Sequence, residues 1–453
     1  MLSAPAAAVS MLLLAASTAS AQWNPQSGQW GKEDPTDLRL VTWNIEDAIV
    51  SSSTGKAGGF NNWEASARVV AALQPDILVL QEMGDRSGNG SGSGVDSVAD
   101  LETAIDLWVN GGNDPFTSIN TVNAYIRAYA PAGYDLPFVY VSPVTDGFNR
   151  NVIMSRYPFA DINDDGQSTY SDFFVQADQW VPATAFSGIR GTTTAEIDLP
   201  NDVYAGDFVV ITNHLKAGGS SSDRADRVQA AQIISYTIEY YYNGNGTGIS
   251  DPNNRVIIPG NSNVLDDNTP VVLAGDLNED ELTNGRKGPV EWITNAQSTS
   301  GTSDGTDRDG TNSTADTATD PINGSRNTIG GGKLDYVIWQ DSITAPRREF
   351  VFNSSGKSAT QLPPELAGFT VPSLASNIAA DHFPVVVDFI LPAAPTSCTP
   401  DLAAPFGALD FFDVLEYLNL FDSNDPAADL AAPIGMLDFF DVLAYLSAFD
   451  AGC

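Results

Sequence analysis

The chain holds two histidines, His214 and His382, and each stands beside an amide or a carboxylate, as Asn213-His214 and Asp381-His382. Three more clusters of this kind follow short apolar runs: Asn44 and Glu46 after Trp43, Gln81 and Glu82 after Leu80, and Asp276 and Asn278 after Ala274-Gly275. Carboxylates without cysteine suit a hard, oxygen-liganded cation, Mg2+, Mn2+ or Ca2+, better than zinc. Such a cation, a carboxylate that can take a proton from water and an imidazole are the equipment for hydrolysing a phosphoester. Asp, Asn and Gly also mark ordinary turns, so one cluster decides little. Five clusters together, with no histidine spent elsewhere, point to a site.

These clusters need a scaffold. Leu38 to Trp43, Asp76 to Leu80, Phe208 to Thr212, Pro270 to Leu273, Leu334 to Trp339 and Pro384 to Phe389 are short, rich in Val, Ile and Leu, and bounded by polar turns, which predicts buried strands. Trp63 to Leu73 places Ala67, Val70 and Leu73 on one stripe, and Ser222 to Tyr241 opens with an amphipathic turn rich in Asp and Arg, so both read as helices. The mixture predicts an α/β layered sandwich whose strand ends gather the clusters at one edge. The stretches Arg86 to Ser97 and Ser298 to Gly332 are rich in Gly, Ser, Asp and Thr and read as surface loops.

Composition narrows the class. With 453 residues, 42% of them hydrophobic, the chain has ample material for a core, which excludes wholesale disorder. Against 21 Lys and Arg stand 57 Asp and Glu, a net charge of −36 that repels polyanions at long range and excludes a basic nucleic-acid-coating protein. An anionic substrate therefore requires local positive charge, and a bound divalent cation is the simplest source.

The two cysteines, Cys398 and Cys453, both follow Ser397, so the body of the chain has no cysteine zinc site, and the pair is expected to form a disulfide. The apolar run through Met11-Leu12-Leu13-Leu14 to Ala19-Ser20-Ala21 reads as a secretory signal over residues 1–21, which places the mature protein outside the cytoplasm. No other apolar run reaches the ~18 residues of a membrane span.

Six blocks, Trp43-Asn44-Ile45-Glu46, Leu80-Gln81-Glu82, Asn213-His214-Leu215-Lys216, Gly275-Asp276-Leu277-Asn278, Leu334-Asp335-Tyr336 and Asp381-His382-Phe383-Pro384, resemble in order and context the endonuclease/exonuclease/phosphatase superfamily. The segment from Asn151 to Pro158 also looks like that family's central strand. The resemblance spans residues 37–391 and implies a four-layer α/β sandwich of the DNase-I-like kind acting as a metal-dependent phosphoric ester hydrolase. It further implies that Glu82, helped by Asn44 and Glu46, holds the cation, with Asp381 as a further metal or water ligand. Asp276 would orient or deprotonate water, and Asn278 would hold the phosphate or that aspartate. His382, held by Asp335, would stabilise charge on phosphorus, and His214 would protonate the leaving oxygen. Extracellular DNA is the first substrate expected, with Arg150, Arg156, Arg190, Lys216 and Lys333 near the motifs as local positive charge. A phospholipid or small phosphoester substrate, or a surface-attached protein that binds without reacting, are the alternatives.

Two further acidic features stand out. Asp161, Asn163 and Asp165 before Gly166, with Asp172 at position twelve, fit a calcium loop in which Asp replaces the final Glu. After a Pro/Ala linker over residues 392–397, the block from Asp401 to Leu415 returns from Asp429 to Leu443, a period of 28. Each copy reads as an acidic loop and then a helix whose Phe, Val, Leu and Tyr lie on one face, so that two copies can pack together. Residues 398–453 resemble dockerin-like, Gly/Cys-flanked anchoring modules, which implies docking to a cell-surface or scaffold partner.

Overall fold

The computed structural model describes residues 23–52, 56, 58–84, 95–117, 121–145, 149–160, 192–238, 268–284, 288–294, 314–394, 400–403, 409–431 and 436–451. The signal segment, the calcium loop at Asp161, Asn163, Asp165 and Asp172, Arg190 and the two cysteines lie outside these residues.

A hairpin of β1 (Trp23–Asn24) and β2 (Gln29–Trp30) precedes two sheets. The first is ordered β12 (Ala345–Val351), β13 (Val385–Ile390), β3 (Leu38–Asn44), β4 (Ile77–Met83), β6 (Arg150–Ser155), β5 (Phe138–Thr145). The second is ordered β10 (Thr314–Ala315), β11 (Asp335–Trp339), β9 (Val271–Asp276), β8 (Phe208–His214), β7 (Thr193–Ile197). Each sheet has one parallel pair at its heart, β3 with β4 and β8 with β9. A parallel neighbour requires a crossover, and here helices supply it: α1 (Asn62–Leu73) between β3 and β4, and α4 (Ser221–Thr237) between β8 and β9.

Strand alternation then sorts the apolar residues into layers. Leu38, Leu40, Ile77 and Val79 face Phe208, Val210, Val272 and Val337 between the sheets. Val41, Trp43, Leu78 and Leu80 face outward onto Ala67, Val70 and Leu73 of α1 and Trp108 of α2 (Val98–Asn110). Val209, Ile211 and Leu273 face Ala230, Ala231 and Ile234 of α4. The result is helix, sheet, sheet, helix: the four-layer α/β sandwich expected. Gln81 pins the two sheets together, donating through Nε2 to Thr42 Oγ1 at 3.2 Å and Thr212 Oγ1 at 3.1 Å.

The remaining helices are α3 (Tyr125–Tyr129), α5 (Glu281–Asn284), α6 (Pro289–Thr294), α7 (Ala375–Ala379) and, after the linker, α8 (Phe411–Asp422) and α9 (Phe439–Ala451). Among the described residues no helix is long and apolar enough to cross a membrane.

Several expectations are revised. β4, β8 and β9 run two or three residues further than their apolar runs and β3 one, into the polar clusters, because ladder pairing continues to Met83, His214, Asp276 and Asn44. β6 lies next to the edge strand β5 rather than centrally. The packed unit begins before residue 37, since Trp30 is buried in the outer core, and extends past residue 391, since Ala205 N donates to Pro392 O and Ala394 N to Val203 O. Residues 314–332 are not a solvated loop: Asp316, Ala318, Asp320 and Thr328 are buried.

In the repeat, Tyr417 and Tyr445 stack at 3.9 Å, and each hydroxyl donates to a carbonyl, of Ala428 and Pro400 respectively. Only part of the apolar face is used. Phe411 and Phe439 are each 71% exposed and Phe412 and Phe440 58% and 60%, so the paired Phe residues point to solvent while the tyrosines form the contact.

Candidate active site

The parallel pairs bring the C-terminal ends of β3, β4, β8 and β9 to one edge, and β11 and β13 start there, with Asp335 opposite Asp276 and Val385 opposite Thr42. Gly275 permits the close approach, since a methyl group there would overlap the Asn213 carbonyl. At these strand ends and just beyond them the backbone turns sharply. Of six non-glycine residues with positive φ among the described residues, four are Glu46, Asp47, Glu82 and Asn278. Such conformations are uncommon and cluster at functional sites. At Glu82 the turn coincides with a register shift between Leu80 and Met83.

The side chains converge. Asn44 Nδ2 donates to Glu82 Oε1 at 3.0 Å and to Asp276 Oδ2 at 3.1 Å. His214 Nε2 lies 3.5 Å from Glu82 Oε1 and 3.8 Å from Asp276 Oδ2. His382 Nε2 lies 3.9 Å from Asp276 Oδ2 and 4.0 Å from Asp381 Oδ1, while its Nδ1 is bonded to Asp335 Oδ2 at 2.7 Å. Asn278 joins through its backbone, whose N donates to Asp276 Oδ1 at 2.8 Å, while its side chain donates to Leu215 O at 3.1 Å. Glu46 contributes its backbone N to Asn44 Oδ1 at 3.1 Å, and its side chain is exposed.

Asn44 presents its NH2 group to Glu82 and Asp276 and its oxygen to Glu46 N, so here it bridges the two carboxylates. Of the two roles expected of Asn278, it takes the steadying of Asp276, through a main-chain bond.

Burial raises the pKa of Asp276, and the neighbouring Asp335 raises it further, against the lowering pull of His382, His214 and the Asn44 bond. Burial lowers that of His382, but the charge and hydrogen bond of Asp335, reinforced by Asp276 and Asp381, carry it up to about 10. At neutral pH this ring is an imidazolium. Burial also raises Asp381, with His382 opposing and Glu82 adding to the rise.

The residues fit a divalent cation. Four carboxylates, Glu82, Asp276, Asp335 and Asp381, surround two imidazoles, and the buried Asp335 Oδ1 has no hydrogen-bond partner among the described residues. Ligand atoms of Asp276, Asp335 and His382 lie within 4.8 Å of one another, a tighter group than the set expected from sequence. Because His382 Nδ1 is committed to Asp335, that group acts as an ion pair facing Asp276, which leaves Glu82 and Asp381 as the carboxylates suited to a hard ion.

The expected local cations are not available as a set. Lys333 Nζ is buried on Asp316 at 2.6 Å, and Lys216 pairs with Asp223 at 3.2 Å. Arg150 donates to the carbonyls of Asp96, Ser142 and Pro143. Arg156 pairs with Asp76, which precedes β4 and so lies at the far end of the strand from Glu82. Sequence reasoning also missed the Gln81 bridge to Thr212, because only folding brings Thr212 near.

No family model matches the chain, and no curated protein does. Solved structures do resemble it. One is an endonuclease/exonuclease/phosphatase from Beutenbergia cavernae, at 19% identity over 80% of this chain and 73% of that one, with a TM-score of 0.41. Another is TDP2 of D. rerio complexed with single strand DNA product, at 10% identity over 78% and 99%, with a TM-score of 0.38. A third is beta toxin 275-280 from Staphylococcus aureus, at 14% identity over 78% and 99%, with a TM-score of 0.38. Likenesses of this degree leave function to be argued from the site.

Proposed function

We propose that the chain is a secreted, divalent-metal-dependent phosphodiesterase that hydrolyses a P–O bond by attack of water, with DNA as the first substrate. The observation that carries this reading is the convergence of Glu82, Asp276, His214 and the Asp335–His382 ion pair at one strand edge. A cation held by Glu82 and Asp381 would supply positive charge to the phosphate oxygens. Asp276, steadied by Asn278 N and Asn44, accepts a proton from water, a task suited to a carboxyl with a raised pKa. His382, kept protonated by Asp335, donates from Nε2 to a phosphate oxygen as charge builds on it. His214, whose Nε2 also lies near Asp276 Oδ2, at 3.8 Å, protonates the leaving oxygen. The reading extends to Mg2+, Mn2+ or Ca2+ in the site, a structural Ca2+ at Asp161 to Asp172, a Cys398–Cys453 disulfide, and attachment to a surface or scaffold partner through the exposed Phe residues of the repeat.

The engagement of Lys216 and Lys333 by aspartates favours a second reading, a phospholipid or small phosphoester, since duplex DNA binding leans on free Lys and Arg. The test is hydrolysis by residues 22–453 of duplex DNA, single-stranded DNA, RNA, sphingomyelin and a generic phosphodiester, with each metal or EDTA. Metal-dependent turnover, lost in Asp276→Asn and His382→Ala, supports the enzyme. Folded protein with no turnover on any of them overturns it and leaves the binding alternative.

A further inference from the structure

The loops after His214 and after Asp276 leave adjacent parallel strands, and one buried side chain ties them together. Arg227 of α4, 2% exposed, donates from Nη1 to Lys216 O at 2.7 Å and Gly218 O at 2.8 Å, and from Nε to Glu279 Oε2 at 2.9 Å. Glu279 is buried as well and directly follows Asn278, whose side chain reaches back to Leu215 O at 3.1 Å. Leu215 N in turn donates to Asp276 O at 2.9 Å. A closed ring of bonds thus runs from the His214 loop through Arg227 and Glu279 to Asn278 and back, with Asp276 held inside it.

We propose that Arg227 is a positioning residue for hydrolysis, fixing the spacing between His214 and the Asn278-steadied Asp276. The proposal rests on the phosphodiesterase reading. The planar guanidinium serves two carbonyls from Nη1 and a carboxylate from Nε in one fixed fork, whereas an ammonium keeps the charge opposite Glu279 without that geometry. Misplacement of reacting groups by about 1 Å can cost on the order of 100-fold in rate, so loosening the ring should be felt in turnover.

The test uses Arg227→Lys and the double variant Arg227→Met/Glu279→Met, which removes both members of the pair and leaves no charge buried alone. Both are compared with wild type and Asp276→Asn by steady-state kinetics on the substrate that wild type cleaves, by thermal melting, and by hydrogen exchange of segments 213–219 and 276–280. The expected result is a kcat lowered about 10-fold or more with KM within about twofold, faster exchange in both segments, and Arg227→Lys intermediate between wild type and the double variant. A folded double variant with wild-type kcat, or a loss confined to the melting temperature, overturns the proposal. Wild type inactive on every substrate overturns the phosphodiesterase reading and, with it, a positioning role in hydrolysis. Exchange then still shows whether the ring holds the loops.

Discussion

His382 Nδ1 is bonded to Asp335 Oδ2 at 2.7 Å while its Nε2 faces Asp276 Oδ2 at 3.9 Å, so one ring links a buried carboxylate on one side to the proposed base on the other. Asp335→Asn removes the main cause of the raised His382 pKa, about 10 in the metal-free protein, and that value should fall toward the ordinary histidine range. With only two histidines in the chain, an NMR titration in EDTA resolves both rings. Turnover should fall on the order of 100-fold at neutral pH, where the ring is then largely neutral. A His382 titration that stays near its original value would refute the assignment of Asp335.

Gly275→Ala should separate β8 from β9. The added methyl meets the Asn213 carbonyl one step from the C-terminal end of the parallel pair, where backbone rather than a pliable side chain must give way. Lower stability and loss of activity are expected together, read by denaturant unfolding and the hydrolysis assay. Wild-type values in both would show that the strands tolerate a wider spacing.

At the opposite end of the first sheet, the Arg39 guanidinium makes two bonds to Asp388, at 2.6 and 2.8 Å, and further bonds to the carbonyls of Trp30 and Leu73. Both residues are buried. Asp388→Ala leaves a buried cation unpaired and should destabilise the domain by about 3–5 kcal/mol. Chemical denaturation measures this, and a loss below about 1 kcal/mol would place the pair among exposed ones.

Glu281 accepts from Val290 N at 2.5 Å and Glu291 N at 3.0 Å, yet burial still raises its pKa from 4.5 to about 7. For an acid held above its unfolded value, the folded state prefers the protonated form. The stability this gives is fully present below 4.5 and lost as pH rises through about 7. Melting temperatures of wild type and Glu281→Gln should therefore diverge in pH dependence between 4.5 and 7, with the glutamine variant flatter. Parallel profiles would show that Glu281 titrates normally.

The strands around the site were legible because burial on both faces writes itself as runs of Val, Ile and Leu, and the polar residues flanking those runs, after them for Glu82, His214 and Asp276 and before one for His382, named the site directly. What the sequence hid are choices of partner across the fold. Nothing local tells that Arg227 will bond carbonyls eleven and nine residues upstream and Glu279 far downstream, or that Lys333 will be spent on Asp316. The turn of Asn44 had the same origin: an amide can face a cation or two carboxylates, and the answer depends on Glu82 and Asp276 arriving from other strands.

The Gln81 bridge to Thr212 marks a seam. On one side of it stand Asn44, Glu82 and His382, and on the other His214, Asp276 and Asp335. Neither sheet owns a complete site, so a half-folded chain with one sheet formed is chemically silent. During refolding, secondary structure should return first and hydrolysis only when the two sheets close on each other, which makes catalysis itself a clock for the final docking event.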